Sequence, residues 1–140
     1  MSRNYSGPLE DRIAIRELME SYADAVNRHD RDLMASLWAE DGHWDLSHYP
    51  ELGIVSGRDK VMDLWSSAMP SYPELSFIAM PGMIRVDGDT AEARTYFSEV
   101  YSDPENGRDK RARACYTDRL VKRDGEWQFQ ERIFGIIHQT

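Results

Sequence analysis

Glu99 is the residue whose type and setting are best suited to chemistry. Between Thr90 and Tyr101 the residues Ala91, Ala93, Thr95, Phe97, Glu99 and Tyr101 alternate onto one side, so a single carboxylate stands on a face of small, hydroxyl and aromatic side chains. Burial on such a face disfavours the charged form and lifts a carboxyl toward neutrality, the condition of a competent general base or acid. The next segment places Ala112, Ala114, Tyr116, Asp118 and Leu120 on one side, opposed to a basic row of Arg111, Arg113 and Arg119. Tyr101 and Tyr116 face the same space by this alternation, and either could serve as hydrogen-bond donor or proton shuttle. A phenol has an ordinary pKa of about 10, so as a base it would need a neighbouring cation.

Other combinations carry less. His43, Asp45 and His48, with the distant His138, have the composition of an iron-oxygenase ligand set. The competing reading is a solvated strand edge, because His43 and Asp45 alternate away from Trp44. No metal site is assigned. Cys115 shares its side with Arg113 and Thr117, away from the tyrosines, which argues against a nucleophilic role. There is no glycine-rich phosphate loop and no Ser-His-Asp arrangement, and no cofactor is expected.

Three helices and a run of strands must position these groups. Pro8 suits a first helical turn, with Glu10 and Asp11 at its positive end. Ile15, Leu18, Tyr22 and Val26 recur at spacings of three and four, giving one buried stripe. Asp30 can cap a second helix with apolar face Leu33, Met34, Leu37 and Trp38, and Gly42 is read as its left-handed stop. A short strand follows over His43 to Ser47. Gly57 introduces a third helix carrying Val61, Leu64, Trp65 and Ala68, which Pro70 ends.

After Pro73 the period changes to two. A strand over residues 75–86 is interrupted by Pro81-Gly82, the signature of a bulge, and Asp87-Gly88 turns it back. Strands over 90–101, 109–123 and 126–137 follow, the last pair joined by Asp124-Gly125. The expected fold is α+β, with three N-terminal helices packed on a strongly curved, mostly antiparallel sheet enclosing a pocket. It is one domain over 1–140, with 1–8 expected to be a flexible segment.

Composition sets outer limits. A net charge of −8 argues against nucleic acid and anionic membrane as partners. A single cysteine and the lack of an apolar leader or spanning run lead to the expectation of a cytoplasmic protein. An open sheet edge and outer face favour a homo-oligomer, dimer or trimer.

The segments YADAVNRHD…LWAEDGHW, VDGDTAEAR and YTDRLVKRDGEWQFQER resemble the SnoaL-like branch of the nuclear-transport-factor-two-like superfamily, over about residues 9–132. The resemblance implies a cone-like fold around a pocket. Fold alone does not select an activity, since this architecture hosts lyases, isomerases, cyclases, epoxide hydrolases and binders. Scytalone dehydratase and hexachlorocyclohexane dehydrochlorinase use an Asp–His pair, whose positions fall at Asn27 and Phe77. An amide cannot accept a proton at neutral pH and a phenyl ring has no nitrogen, so that dyad is absent. Ketosteroid isomerase has its oxyanion-holding tyrosine where Tyr22 stands, while its proton-shuttling aspartate falls near Leu46, beside Asp45. The dehydrochlorinase's pocket arginine matches Arg132. The dehydratase's second histidine falls at Tyr101 and its pocket asparagine at Tyr116.

The resemblance thus implies a pocket lined by Tyr22, Asn27, Trp44, Phe77, Phe97, Glu99, Tyr101, Tyr116 and Arg132, to which Val26, Met69 and Ala114 are added. Glu99, Tyr22, Tyr116 and Arg132 are the catalytic candidates. Glu99 is read either as a general base or as one half of a Glu99–Arg132 ion pair closing the pocket floor. Tyr22 either holds an oxyanion or packs in the core, and Asn27 either orients a carbonyl or caps its helix. The expected activity is a cofactor-independent lyase or isomerase acting by proton abstraction on a small hydrophobic, aromatic or polycyclic molecule. One alternative is a non-catalytic binder of such a molecule. The other is an epoxide hydrolase or polyketide-cyclase-like enzyme, which needs a second acid, and only Asp118 has the right alternation.

Overall fold

Local capping chemistry sets the helix boundaries. The computed structural model describes residues 4–140. Helix α1, Leu9–Arg28, starts after Pro8 and ends where His29 adopts a left-handed φ of 53°. It buries Ile15, Leu18, Met19, Tyr22, Ala25 and Val26. Asp30 caps α2, Arg31–Leu37, by accepting from the Leu33 amide at 3.0 Å. Gly57, with φ of 93°, leads into α3, Arg58–Ala68, and a single 3-10 turn, Met69–Ser71, follows.

The sheet has seven strands: β1 Tyr5–Ser6, β2 Trp38–Leu46, β3 Gly53–Ser56, β4 Ser76–Asp87, β5 Thr90–Ser102, β6 Asp109–Arg123 and β7 Glu126–Gln139. Their order is β1-β4-β5-β6-β7-β2-β3. The β4–β7 meander and the β2–β3 pair are antiparallel, whereas β1–β4 and β2–β7 are parallel, so the sheet is mixed. The β6–β7 turn places both Asp124 and Gly125 at positive φ, the backbone of a tight two-residue hairpin. Pro81-Gly82 is a bulge: the β4–β5 register shifts between Pro81 and Met83. A Cβ on Gly82 would lie 2.5 Å from the Tyr96 ring.

Three expectations need correction. Gly42 does not stop a helix. The helix ends at Leu37, and Trp38 is already extended at φ −97°, ψ 137°. Gly42 lies inside β2, at the register shift against β7, where a Cβ would meet the Phe129 carbonyl at 2.9 Å. Close backbone approach, not left-handed geometry, requires glycine there. Secondly, of the segment 1–8 expected to be flexible, 1–3 lie outside the described residues, while Tyr5 and Ser6 pair with Ile84 and Arg85. Thirdly, β3 lies opposite residues 43–46 of β2, in a stretch where no strand was expected.

The helices cover the concave side, where Ala91, Ala93, Thr95, Phe97, Ala112, Ala114, Tyr116, Asp118 and Leu120 are all buried. Asp11 accepts from Trp127 Nε1 at 3.0 Å and from Lys122 Nζ at 3.1 Å, fixing the start of α1 to the β6–β7 hairpin. Among the described residues no helix is long and apolar enough to cross a membrane.

Candidate active site

A cavity of about 400 Å³ opens between α1, α3, the β2–β3 connection and the concave sheet. Of the residues expected to line it, Tyr22, Val26, Trp44, Met69, Phe77, Phe97, Glu99, Tyr101 and Tyr116 do so. Phe77, Phe97 and Tyr116 stack in series across β4, β5 and β6, with centroids 4.6 and 5.0 Å apart and ring planes within 25°. This makes a continuous aromatic wall. A groove of about 650 Å³ near the hairpin turns is lined by Arg85, Glu92, Arg119 and Arg123, and none of the candidate catalytic residues reaches it.

At the inner end of the cavity three polar groups meet. Trp44 Nε1 donates to the Tyr116 hydroxyl at 3.2 Å, and the Tyr22 and Tyr116 hydroxyls lie 3.4 Å apart. Since Tyr116 accepts from Trp44, its own proton remains available to an acceptor. Burial raises the Tyr22 pKa despite the opposing Arg132 charge. The same desolvation pushes Tyr116 well above its ordinary value. Both phenols therefore stay protonated, as donors rather than bases, and Arg132 does not activate either as a base.

Arg132 itself sits behind this wall rather than in the cavity. It is fully buried, with Nε 2.7 Å and Nη2 3.1 Å from the two Asp118 carboxylate oxygens. Thr95 Oγ1 also donates to Asp118, at 2.6 Å. The guanidinium carbon lies 4.4, 4.0 and 4.0 Å from the ring centroids of Tyr22, Tyr116 and Phe129. Burial works most strongly against its charge, but the Asp118 carboxylate together with Tyr22 and Tyr116 outweighs it and the net shift is upward. The alternative reading of Glu99, as one half of an ion pair with Arg132, fails because Arg132 faces Asp118 directly across β6 and β7.

Glu99 has no hydrogen-bond or ion-pair partner among the described residues. Desolvation alone raises its pKa from 4.5 to about 7. Asp118 cannot assist it. Asp118 pairs with Ala93 on β5, six residues from Glu99, which is roughly 20 Å along the strand. An epoxide-opening site built on these two acids is excluded.

Asn27 neither caps its helix nor reaches the cavity. Its Nδ2 donates to the Phe77 carbonyl and its Oδ1 accepts from the Phe77 amide, both at 2.7 Å. The amide thus joins the end of α1 to β4. Ala114 is buried outside the lining, opposite Phe97 on β5 and Ile136 on β7. His43 pairs with Glu131, Asp45 accepts from the Ser47 amide, and His48 packs on Tyr49 and Phe134. These three do not converge, and His138 is exposed on β7. Cys115 is half-buried, its thiol pKa raised by burial.

Several lining residues were not anticipated: Leu46, Tyr49, Glu51, Leu52, Leu64, Trp65, Ala68, Tyr72, Leu75 and Phe134. Phe134 follows Arg132 by two and was recoverable by alternation. Tyr49, Glu51 and Tyr72 lie in connections, where no periodicity marks them.

Comparison with known proteins agrees with this architecture. Residues 7–133 match the SnoaL-like domain, and the chain belongs to that family. It is 25% identical over 128 residues to the gamma-hexachlorocyclohexane dehydrochlorinase of Sphingobium indicum, covering 89% of this chain and 79% of that one. An uncharacterized protein of Mycobacterium tuberculosis is 24% identical over 127 residues, covering 89% and 84%. Among solved structures, a scytalone dehydratase-like protein of Novosphingobium aromaticivorans superposes with a TM-score of 0.84 at 22% identity, covering 94% of this chain and 87% of that one. The likeness to that structure is one of fold.

Proposed function

We propose that the protein is a cofactor-independent lyase or isomerase that removes a proton from a small hydrophobic, aromatic or polycyclic molecule. The observation that carries this reading is Glu99, a carboxylate without a partner on an apolar cavity wall, with a pKa near 7. A base poised there is about half ionised at neutral pH and still strong enough to accept a proton from an activated carbon. Thr95 lies opposite Tyr116, so Glu99 is four residues further along β5, roughly 13 Å at the backbone. Between their side chains a flat ring system fits against the Phe77–Phe97–Tyr116 wall.

In this geometry the substrate's C–H electrons move toward an oxygen at the inner end as the proton passes to Glu99. Tyr116, itself accepting from Trp44, donates to the developing oxyanion, and Tyr22 adds a second donor. One such preorganised donor contributes roughly 3 kcal/mol to a dry transition state. Return of the proton to another carbon gives an isomerase; departure of a β-substituent gives a lyase. The likeness to the dehydrochlorinase and to the scytalone dehydratase-like protein supports this class of reaction.

The test is deuterium exchange into 1-tetralone, a bicyclic aryl ketone, in heavy water near neutral pH. Glu99→Gln should lower the protein-catalysed rate at least ~100-fold. An unchanged rate removes Glu99 from the mechanism. One observation favours a second reading, a binder that performs no chemistry: the two positions that hold the dyad in similar enzymes carry Asn27 and Phe77, tied together through the main chain. Recovery of a bound ligand unaltered and undeuterated would favour it. For assembly, exposed Ile78, Met80, Tyr96 and Val100 on adjoining positions of β4 and β5 support a homo-oligomer.

A further inference from the structure

Every lining group that sets the electrostatic sign of the cavity is negative or neutral. Among the described residues two carboxylates, Glu51 and Glu99, line it, and no lysine, arginine or histidine does. The ends of α1 and α3 contribute only the apolar residues Val26, Ala68 and Met69 to the lining. The starting residues of the helices, Leu9, Arg31 and Arg58, are all outside the lining. Arg132, behind the inner rings, is matched by Asp118.

The mouth adds ring faces to this negative field. Tyr72 and Tyr101 meet edge to face at 5.4 Å, and Tyr49 stacks on Phe134 at 5.6 Å. Tyr49, Glu51, Tyr72, Glu99 and Tyr101 line one cavity, and burial, with the other four as lesser causes, raises the Tyr49 phenol pKa. Electron-rich ring faces beside carboxylates attract an organic cation, while its alkyl substituents tolerate the apolar wall.

We infer that the mouth formed by Tyr49, Tyr72, Tyr101, Glu51 and Glu99 is a subsite for an organic ammonium group, whose apolar body lies against the inner aromatic wall. The ligand class is an aryl or alicyclic amine or quaternary ammonium compound. An anion of the same shape meets two carboxylates with no compensating cation among the described lining residues. With an ammonium in place, the counter-charge favours the ionised form of Glu99. The inference shares with the proposed function only the premise that this cavity takes a ligand, and does not need Glu99 to act as a base.

Two probes of the same shape isolate the charge: phenyltrimethylammonium and tert-butylbenzene. Binding of each is followed by chemical-shift titration, at physiological ionic strength, where screening over about 8 Å suppresses the long-range field of the acidic chain. The cation should bind at least about tenfold tighter than its neutral isostere, the range expected of a desolvated cation–π site, and benzenesulfonate should bind weakest. In Glu51→Gln, at an exposed position, and in Glu99→Gln, the preference for the cation should shrink several-fold while tert-butylbenzene binds as before. Equal or tighter binding of tert-butylbenzene to the unaltered protein overturns the inference, and needs no variant to fold. A cation preference unchanged in both variants overturns the location. Loss of the cation preference with Glu99-dependent deuterium exchange intact would sink this subsite and leave the proton-abstraction reading standing. The reverse pattern would do the opposite.

Discussion

Replacing Glu99 with Gln should stabilise the protein at alkaline pH, even as it removes the proposed base. The carboxyl has an ordinary pKa of 4.5 in the unfolded chain and about 7 in the fold. Below pH 4.5 it is protonated in both states and contributes no difference. Between pH 4.5 and 7 the unfolded chain releases its proton while the native state retains it, so the native state loses stability as pH rises. Above pH 7 the loss is complete. At about 1.4 kcal/mol per pH unit it amounts to ~3 kcal/mol. Gln is neutral throughout and escapes this penalty. For 140 residues at about 2.1 cal/mol/K each, the gain corresponds to a rise of roughly 10 °C in melting temperature at pH 8. Urea unfolding of both proteins at intervals from pH 4 to pH 8 measures the effect, and taking their difference cancels the shared titrating groups. A variant no more stable than the parent at pH 8, or a difference flat across the window, would refute the claim that Glu99 is desolvated and without a partner.

Three further outcomes are expected. Asp118→Asn leaves the buried Arg132 charge without its counter-ion and should cost about 3–5 kcal/mol in urea unfolding, while the double change Asp118→Leu with Arg132→Met should recover most of it. Asn27→Ala strips partners from both Phe77 main-chain groups and should cost about 1–3 kcal/mol per group left unsatisfied, read from the melting temperature. If Glu99 is the base, the exchange rate should rise as pH passes through about 7 and level off above it, because only the ionised carboxylate accepts a proton; a rate that falls over that range would assign Glu99 the role of acid.

What could be read from the chain alone was whatever local chemistry encodes. The α1 stripe, the Asp30 cap, Gly57, the Pro81-Gly82 bulge and the Asp124-Gly125 turn are each specified by a few adjacent residues. Gly42 misled because its reason is non-local: the Phe129 carbonyl, far away in sequence, approaches it. Strands as short as β1 and β3 are too brief to show a period. Within the site, alternation on β5 and β6 placed Phe97, Glu99, Tyr101 and Tyr116 together, because those strands pair without interruption. Alternation could not reveal the partner of Arg132. From the turn, Arg123 opposes Glu126 and Leu120 opposes Phe129, but Arg119 then opposes Glu131. One extra residue on β7 shifts the register, turns Arg132 inward and sets it opposite Asp118.

The locked Asn27–Phe77 contact and the isolated Glu99 together constrain how a substrate would lie under the proposed mechanism. A base at position 27 or 77 would take its proton beside the end of α1. With those positions committed to holding α1 on β4, the one half-buried carboxylate among the described lining residues is Glu99 on β5, next to the mouth. The acidic carbon must then point outward and the oxygen inward, toward Tyr116 and Tyr22. Arg132 holds that end in place without touching the ligand: its guanidinium, neutralised by Asp118, lies against the faces of both tyrosine rings. A carboxylate that costs the fold ~3 kcal/mol at one end, facing two protonated phenol donors at the other, is the arrangement that proton abstraction toward an oxyanion requires.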